Sequence, residues 1–183
     1  MLVLGATGNA GTMAVQVAKR LGAGRVGPGR DLTRLNALAA IGADEVVPLT
    51  DDPDVTAGAL SNAAADADIV LDYLWGTPAQ PAIMALLSQR SDRSRAMNWI
   101  QIGAMAGPTI ELPSVALRSA NFRLQGNGQG AVSTKVYLAE LPSLVDEIDA
   151  GTIAVSADPL PLVDVERIWV RADVPGVRTV LVP

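Results

Sequence analysis

Short apolar runs alternate with stretches of helical spacing along most of the chain. Residues 1–4 are apolar and stop at a glycine cluster. Residues 12–21 then carry Met13, Val17 and Leu21 on one stripe, with Lys19 and Arg20 in the last turn and Gly22 to end the helix. The same alternation predicts strands at 24–29, 45–49, 68–74, 98–103 and 122–126. It predicts helices at 32–41, 53–67, 81–89 and 137–150. The strand at 24–29 has the weakest signal, because Val26 is nearly alone between glycines and Pro28. Strands that alternate with helices imply right-handed crossovers and a parallel sheet. Runs such as Asp68-Ile69-Val70-Leu71-Asp72-Tyr73-Leu74 are nearly all apolar rather than alternating, so both faces of that sheet should be covered. After Gly151 the pattern changes: strands are expected at 152–157 and 178–182, around a proline-rich stretch at 158–163. The fold class is therefore α/β, a doubly wound parallel six-stranded sheet with helices on both faces and a short C-terminal β tail.

Composition narrows the chemistry. Nearly half the residues are hydrophobic (49%) while aromatics are 3%, so the core must be built from Ala, Val, Leu and Ile. The net charge of −5, with no basic block, argues against nucleic acid or an anionic membrane as partner. The chain has no Cys and no His, which removes thiol nucleophiles, imidazole bases and the usual zinc ligands. It also points to a reducing, cytoplasmic setting. Met1-Leu2-Val3-Leu4 lacks the basic flank and length of a signal peptide. Residues 69–89 carry one charge, Asp72, but Gly76, Pro78 and Pro81 interrupt them, so they read as strand, loop and helix rather than a membrane span.

The candidate chemistry sits in Gly5-Ala6-Thr7-Gly8-Asn9-Ala10-Gly11, between the first strand and the first helix. One glycine there reverses the chain, a second lets the main chain approach a pyrophosphate, and a third lets the helix pack on the strand. The helix amides and dipole then face the phosphates. A tight turn in another kind of α/β protein remains the alternative. A dinucleotide's ribose is read at the end of the second strand, usually by an acidic residue. Here Gly29-Arg30-Asp31 occupies that place, with Arg34 a helical turn on. A guanidinium can hold a 2′-phosphate bidentately. Asp31 is one position late for an NAD-type role and suits an N-cap. NADP(H) is therefore expected over NAD(H), the alternative being that both arginines are solvated surface charges.

Several segments together resemble the medium-chain dehydrogenase/reductase superfamily, in its zinc-independent, quinone-oxidoreductase-like branch. They are VLGATGNAGTMAVQVAKRLGA, LAAIGADEVVPL, ADIVLDYLWG, IQIGAMAG and the closing GVRTVLVP, in the family's order over nearly the whole chain. A Tyr-x-x-x-Lys pair, used by short-chain reductases, is not formed by Tyr73 or Tyr137. The resemblance implies a Rossmann cofactor domain over residues 1–151. It implies a tail, 152–183, that in the family returns to a catalytic domain ahead of the first strand. It implies hydride transfer from NADP(H) to a quinone, enone or related carbonyl, and a homodimer paired through the sixth strand. Carried over by position, Gly8, Asn9, Ala10 and Gly11 fall at the pyrophosphate, and Gly29, Arg30 and Arg34 at the adenosine phosphate. Leu74 and Trp75 fall beside the adenine–ribose side. Ile102, Gly103 and Ala104 fall under the nicotinamide, and Gly126 and Asn127 approach the same end. The second strand looks about one residue short, which bears on where Arg30 falls.

No catalytic residue emerges, and for hydride transfer the cofactor carries the chemistry. The alternative function is a non-catalytic NADP(H)-binding sensor or regulatory module. Asp44 reads as a turn residue. Asp72 could bond a ribose hydroxyl or a loop amide. Trp75, Trp99 and Trp169 are expected in the core or at a domain interface, with Trp75 also near the cofactor. Asn121 to Gly130, rich in amides and glycine, reads as a lid or a polar connection. The acidic run Asp51, Asp52, Asp54 reads as a solvated loop and helix start rather than a metal site.

Overall fold

A computed structural model describes residues 1–128, 130–171 and 177–183. Gly176, the first residue of the closing GVRTVLVP stretch, and Gln129 of the amide-rich segment lie outside the described residues, as does part of the 152–183 tail. Strands β1 (Leu2–Leu4), β2 (Val26–Gly29), β3 (Glu45–Pro48), β4 (Ile69–Asp72), β5 (Met97–Gln101) and β6 (Phe122–Gly126) alternate with helices. Those helices are α1 (Asn9–Arg20), α2 (Leu32–Ile41), α3 (Pro53–Ala64), α4 (Gly76–Gln89) and α5 (Thr134–Asp149). The sheet order is β3-β2-β1-β4-β5-β6, and every pair is parallel. This is the doubly wound Rossmann order, reversing direction between β1 and β4.

Successive strand residues feed opposite layers. Leu2, Leu4, Val70, Trp99 and Phe122 pack with Leu60 of α3 and Ile83 and Leu86 of α4. Val3 turns the other way, against Val15 of α1 and Leu35 and Leu38 of α2. Helices thus cover both faces of the sheet around β1, as the apolar strands require, while β6 is exposed beyond Phe122. Trp99 is fully buried and meets Phe122 edge-on, with ring centroids 6.4 Å apart.

Three helices begin earlier than spacing suggests, α5 among them, which opens at Thr134 behind its Ser133 cap rather than at residue 137. The first starts at Asn9 rather than residue 12, because Gly11 and its neighbours carry no apolar stripe yet are helical. The fourth starts at Gly76 rather than Pro81. Pro78 falls in its first turn, where amides have no helical partner anyway, and Pro81 forfeits one bond. The second strand is short but real: Val26–Gly29 pairs along its whole length with β3. Its weak signal has a packing cause, since a Cβ at Gly29 would lie 2.6 Å from Thr7 Cγ2.

The tail departs from expectation. Its first strand is β7 (Ala157–Pro161), not residues 152–157, and it pairs in parallel with β8 (Arg178–Val182) in a separate sheet. The prolines that argued against a strand there are tolerated because β7 has one partner strand and can turn their missing amides to its open edge. A short helix, α6 (Val165–Trp169), went unforeseen. Trp169, expected in the core or an interface, is 82% exposed. The tail is anchored to α1: Gln16 Nε2 donates to the Ala154 carbonyl at 3.1 Å, and the Ala154 amide donates to Gln16 Oε1 at 2.7 Å. Arg20 pairs with Glu147 of α5 beside that contact.

Candidate functional site

The glycine loop leaves β1 through Gly5, whose φ of +85° a side chain would resist. Gly11 is the helix-packing glycine: a Cβ there would sit 2.2 Å from the Gly5 carbonyl oxygen and 2.6 Å from Ala6 Cα. Between them, Gly8 is the N-cap of α1 and supplies no side-chain cap. Its own amide donates back to Gly5, and the next amide that bonds inward is Thr12, to the Gly8 carbonyl. Asn9, Ala10 and Gly11 therefore present the first turn of a helix that the protein itself has not capped. Such an end attracts an anion.

The neighbouring helices are finished differently. Asp31 Oδ1 accepts from the Thr33 amide at 2.8 Å and the Arg34 amide at 3.2 Å, which makes it the N-cap of α2. Asp52 Oδ1 does the same for α3. Arg34 lies 3.7 Å from Asp31 Oδ2. Arg30, immediately past β2, is exposed.

The expected site residues lie toward the carboxyl edge of the sheet, and four of them line two separate cavities there. Arg30 and Leu74 line one cavity of about 350 Å³, together with Leu49, Asp51, Thr56 and Ala106. Ile102 and Asn127 line a second, wider cavity of about 710 Å³, with Gly128, Val132, Thr134 and Tyr137. The glycine loop and the N-terminus of α1 are on the same edge. Trp75 is half-buried against the main core at φ 51°. Gly103 backs onto the Tyr73 carbonyl, which a Cβ would approach to 2.7 Å. Ala104, Gly126 and Asn127 are exposed, and the Asn127 amide donates to the Gln101 carbonyl at 2.8 Å.

Asp72 does not serve a ligand. Its side chain is fully buried; Oδ1 accepts from the Leu74 and Trp75 amides, each at 2.9 Å, and Oδ2 accepts from Trp99 Nε1 at 3.0 Å. Burial pushes its carboxyl above the ordinary range, while these three donors pull the other way. It fixes the β4–α4 turn against β5. Asp44 is likewise structural, accepting from the Arg25 backbone and guanidinium at 2.7 and 2.6 Å. Among the described residues no group of three or more acidic, His or Cys residues could hold a metal. No described helix is long and apolar enough to cross a membrane.

Spacing alone missed Thr134 and Tyr137 on the wide cavity, and Leu49, Asp51 and Thr56 on the small one. The available signal was topological: all lie on segments that follow a strand's carboxyl end, where open α/β sheets bind ligands.

No family model matches the chain. A curated protein of Emericella nidulans, described as a probable NADPH-dependent quinone reductase, is 29% identical over 198 residues, spanning 100% of this chain and 54% of its own length. The solved structure of a mycobacterial quinone oxidoreductase superposes with a TM-score of 0.76 at 20% identity, over 100% of this chain and 56% of that one. The chain resembles the quinone-oxidoreductase-like medium-chain dehydrogenase/reductases. A mycobacterial protein solved with NADPH bound superposes with a TM-score of 0.71 at 21% identity, over 91% of this chain and 50% of that one. The family resemblance and the fold expected from the sequence are thus borne out. The chain spans about half the length of the relatives it matches.

Proposed function

We propose that this chain binds NADP(H) as the cofactor-binding part of a zinc-independent oxidoreductase that passes hydride to a quinone, enone or related carbonyl. The observation that carries the reading is the uncapped first turn of α1 at the point where the sheet order reverses. The backbone amides of Asn9, Ala10 and Gly11 have no side-chain acceptor there, which fits a pyrophosphate. Gly8 adds no side chain to keep it away, and Gly11 holds the helix close to β1. Arg30 at the end of β2 supplies the charge for a 2′-phosphate, with Gly29 letting the chain pass and Arg34 one turn along. Leu74 and Trp75 then border the adenosine. Ile102, Gly103, Ala104, Gly126 and Asn127 form the floor and rim at the nicotinamide end. The chain itself offers no Cys or His to a zinc ion.

Bound there, the cofactor supplies the hydride. The chain's residues bind its phosphates, select between NADP(H) and NAD(H), and orient its reactive end over the wide cavity. In this reading residues 1–151 are the nucleotide-binding domain, and 152–183 contact a catalytic domain. The protein acts in the cytoplasm on a small molecule, as a homodimer joined along the exposed β6 edge.

Calorimetric titration with NADPH and with NADH at fixed salt tests the reading. Tight NADPH and weak NADH binding is the expected result. Binding of NADPH without turnover of any quinone by the full-length protein would instead favour a sensor or regulatory module. Binding of neither nucleotide would overturn the proposal.

A further inference from the structure

We propose that Asp51 reads the cofactor's base, its carboxylate accepting a hydrogen bond from the 6-amino group of adenine. The inference rests on assigning the smaller cavity to the adenosine end. Three aspartates stand where α3 begins, and they are not equivalent. Asp52 is committed to capping α3. Asp54 sits in that helix's first turn, where a negative charge meets the positive end of the dipole. Asp51 lines the cavity that Arg30 also lines.

The cavity, about 350 Å³, is at the small end of small-molecule sites and suits a nucleoside rather than a whole dinucleotide. Its walls are largely apolar, with Leu49, Leu60, Leu74, Pro81 and Ala82 among them. Apolar walls hold a base by its faces, which all purines share, so discrimination must come from a polar group at the edge. Of the three threonine hydroxyls on the wall, that of Thr56 donates to the Thr50 carbonyl and accepts from the Thr50 amide, both at 3.0 Å, and that of Thr50 donates to the Asp52 carbonyl at 3.2 Å; that of Thr77 can give or take a hydrogen bond and so does not separate an amino group from a carbonyl. Among the described residues, Asp51 is the single carboxylate on the cavity wall. An ionised carboxylate can only accept. Adenine offers it a donor at position 6, whereas hypoxanthine places a carbonyl oxygen there. With Arg30 drawn to the phosphate and Asp51 to the amine, one cavity would check both ends of the adenosine.

The test compares NADPH with the reduced hypoxanthine analogue, nicotinamide hypoxanthine dinucleotide phosphate, by calorimetry. The wild-type chain should bind the analogue roughly 10-fold or more weakly, the scale of a hydrogen bond to a charged group. Asp51→Asn and Asp51→Ala, shown to be folded by circular dichroism, should bind the two cofactors within about 2-fold of each other. Equal binding of both cofactors by the wild type overturns the inference and leaves the nucleotide site intact. So does an Asp51→Asn variant that tightens NADPH over NADH while keeping the preference for adenine, because the carboxylate would then face the phosphate. If the wild type binds neither cofactor, the nucleotide reading fails and this inference with it.

Discussion

The N-termini of α1 and α2 open at the same edge of the sheet, yet one is finished and the other is not. At α2 the Asp31 carboxylate takes the Thr33 and Arg34 amides. At α1 the cap is Gly8, which has nothing to offer. Both helices need their leading amides satisfied. A helix end left open beside the sheet's switch point is therefore available to a ligand, whereas a capped one serves the fold.

The contrast fails most severely at Gly11. Gly11→Val forces a side chain into the Gly5 backbone, and thermal unfolding should show a loss of about 4 kcal/mol or more, or no folded protein. Gly8→Asp is the more discriminating experiment, because it gives α1 the kind of cap α2 has. Gly8 is in extended geometry at φ −85°, and an added Cβ meets only the Gly5 oxygen, at 3.4 Å. Stability should change by less than about 1 kcal/mol, while NADPH affinity falls roughly 100-fold as the carboxylate occupies the anion site. Unchanged NADPH affinity in that variant would remove the open helix end from the site. Arg30→Ala should lower NADPH affinity about 10-fold or more and leave NADH nearly unaffected, collapsing the preference between them. Asp31→Ala is the smallest effect: about 1 kcal/mol of stability in denaturant titration, with no fall in NADPH affinity, since that cap holds a helix and not a ligand.

A second contrast separates the sheet from the C-terminal third of the chain. The helices α1 to α4 bury apolar faces in two layers. By contrast α5 buries no residue, and Val136, Tyr137 and Leu138 are all more than half exposed. Its apolar spacing was legible in the sequence, but spacing reports that a face is apolar, not what covers it. The same limit explains Trp169, whose bulk suggested burial and whose helix, α6, lies in the tail. Prolines misled twice for a related reason. Pro81 and the prolines of β7 remove an amide each, and the cost depends on whether that amide had a partner in the finished fold.

Sequence alone was enough for the alternation of strands and helices, the doubly wound class and the glycine loop, while the end of β2 just before Arg30 came from its pairing with β3. The first three are local: a period of two or 3.6, a cap, a turn residue, each set by neighbours a few positions away. It also placed Asp31 as a cap, because Ser, Thr, Asp and Asn before an apolar stripe act on amides within one turn. It took the folded chain to show that Asp72 is consumed by Leu74, Trp75 and Trp99, that Asp51 shares a cavity with Arg30, and that Tyr137 borders the wide cavity with Ile102. Those groupings join residues from different crossovers. They come from the order in which parallel strands are laid side by side, and no spacing along the chain encodes which strand ends will meet.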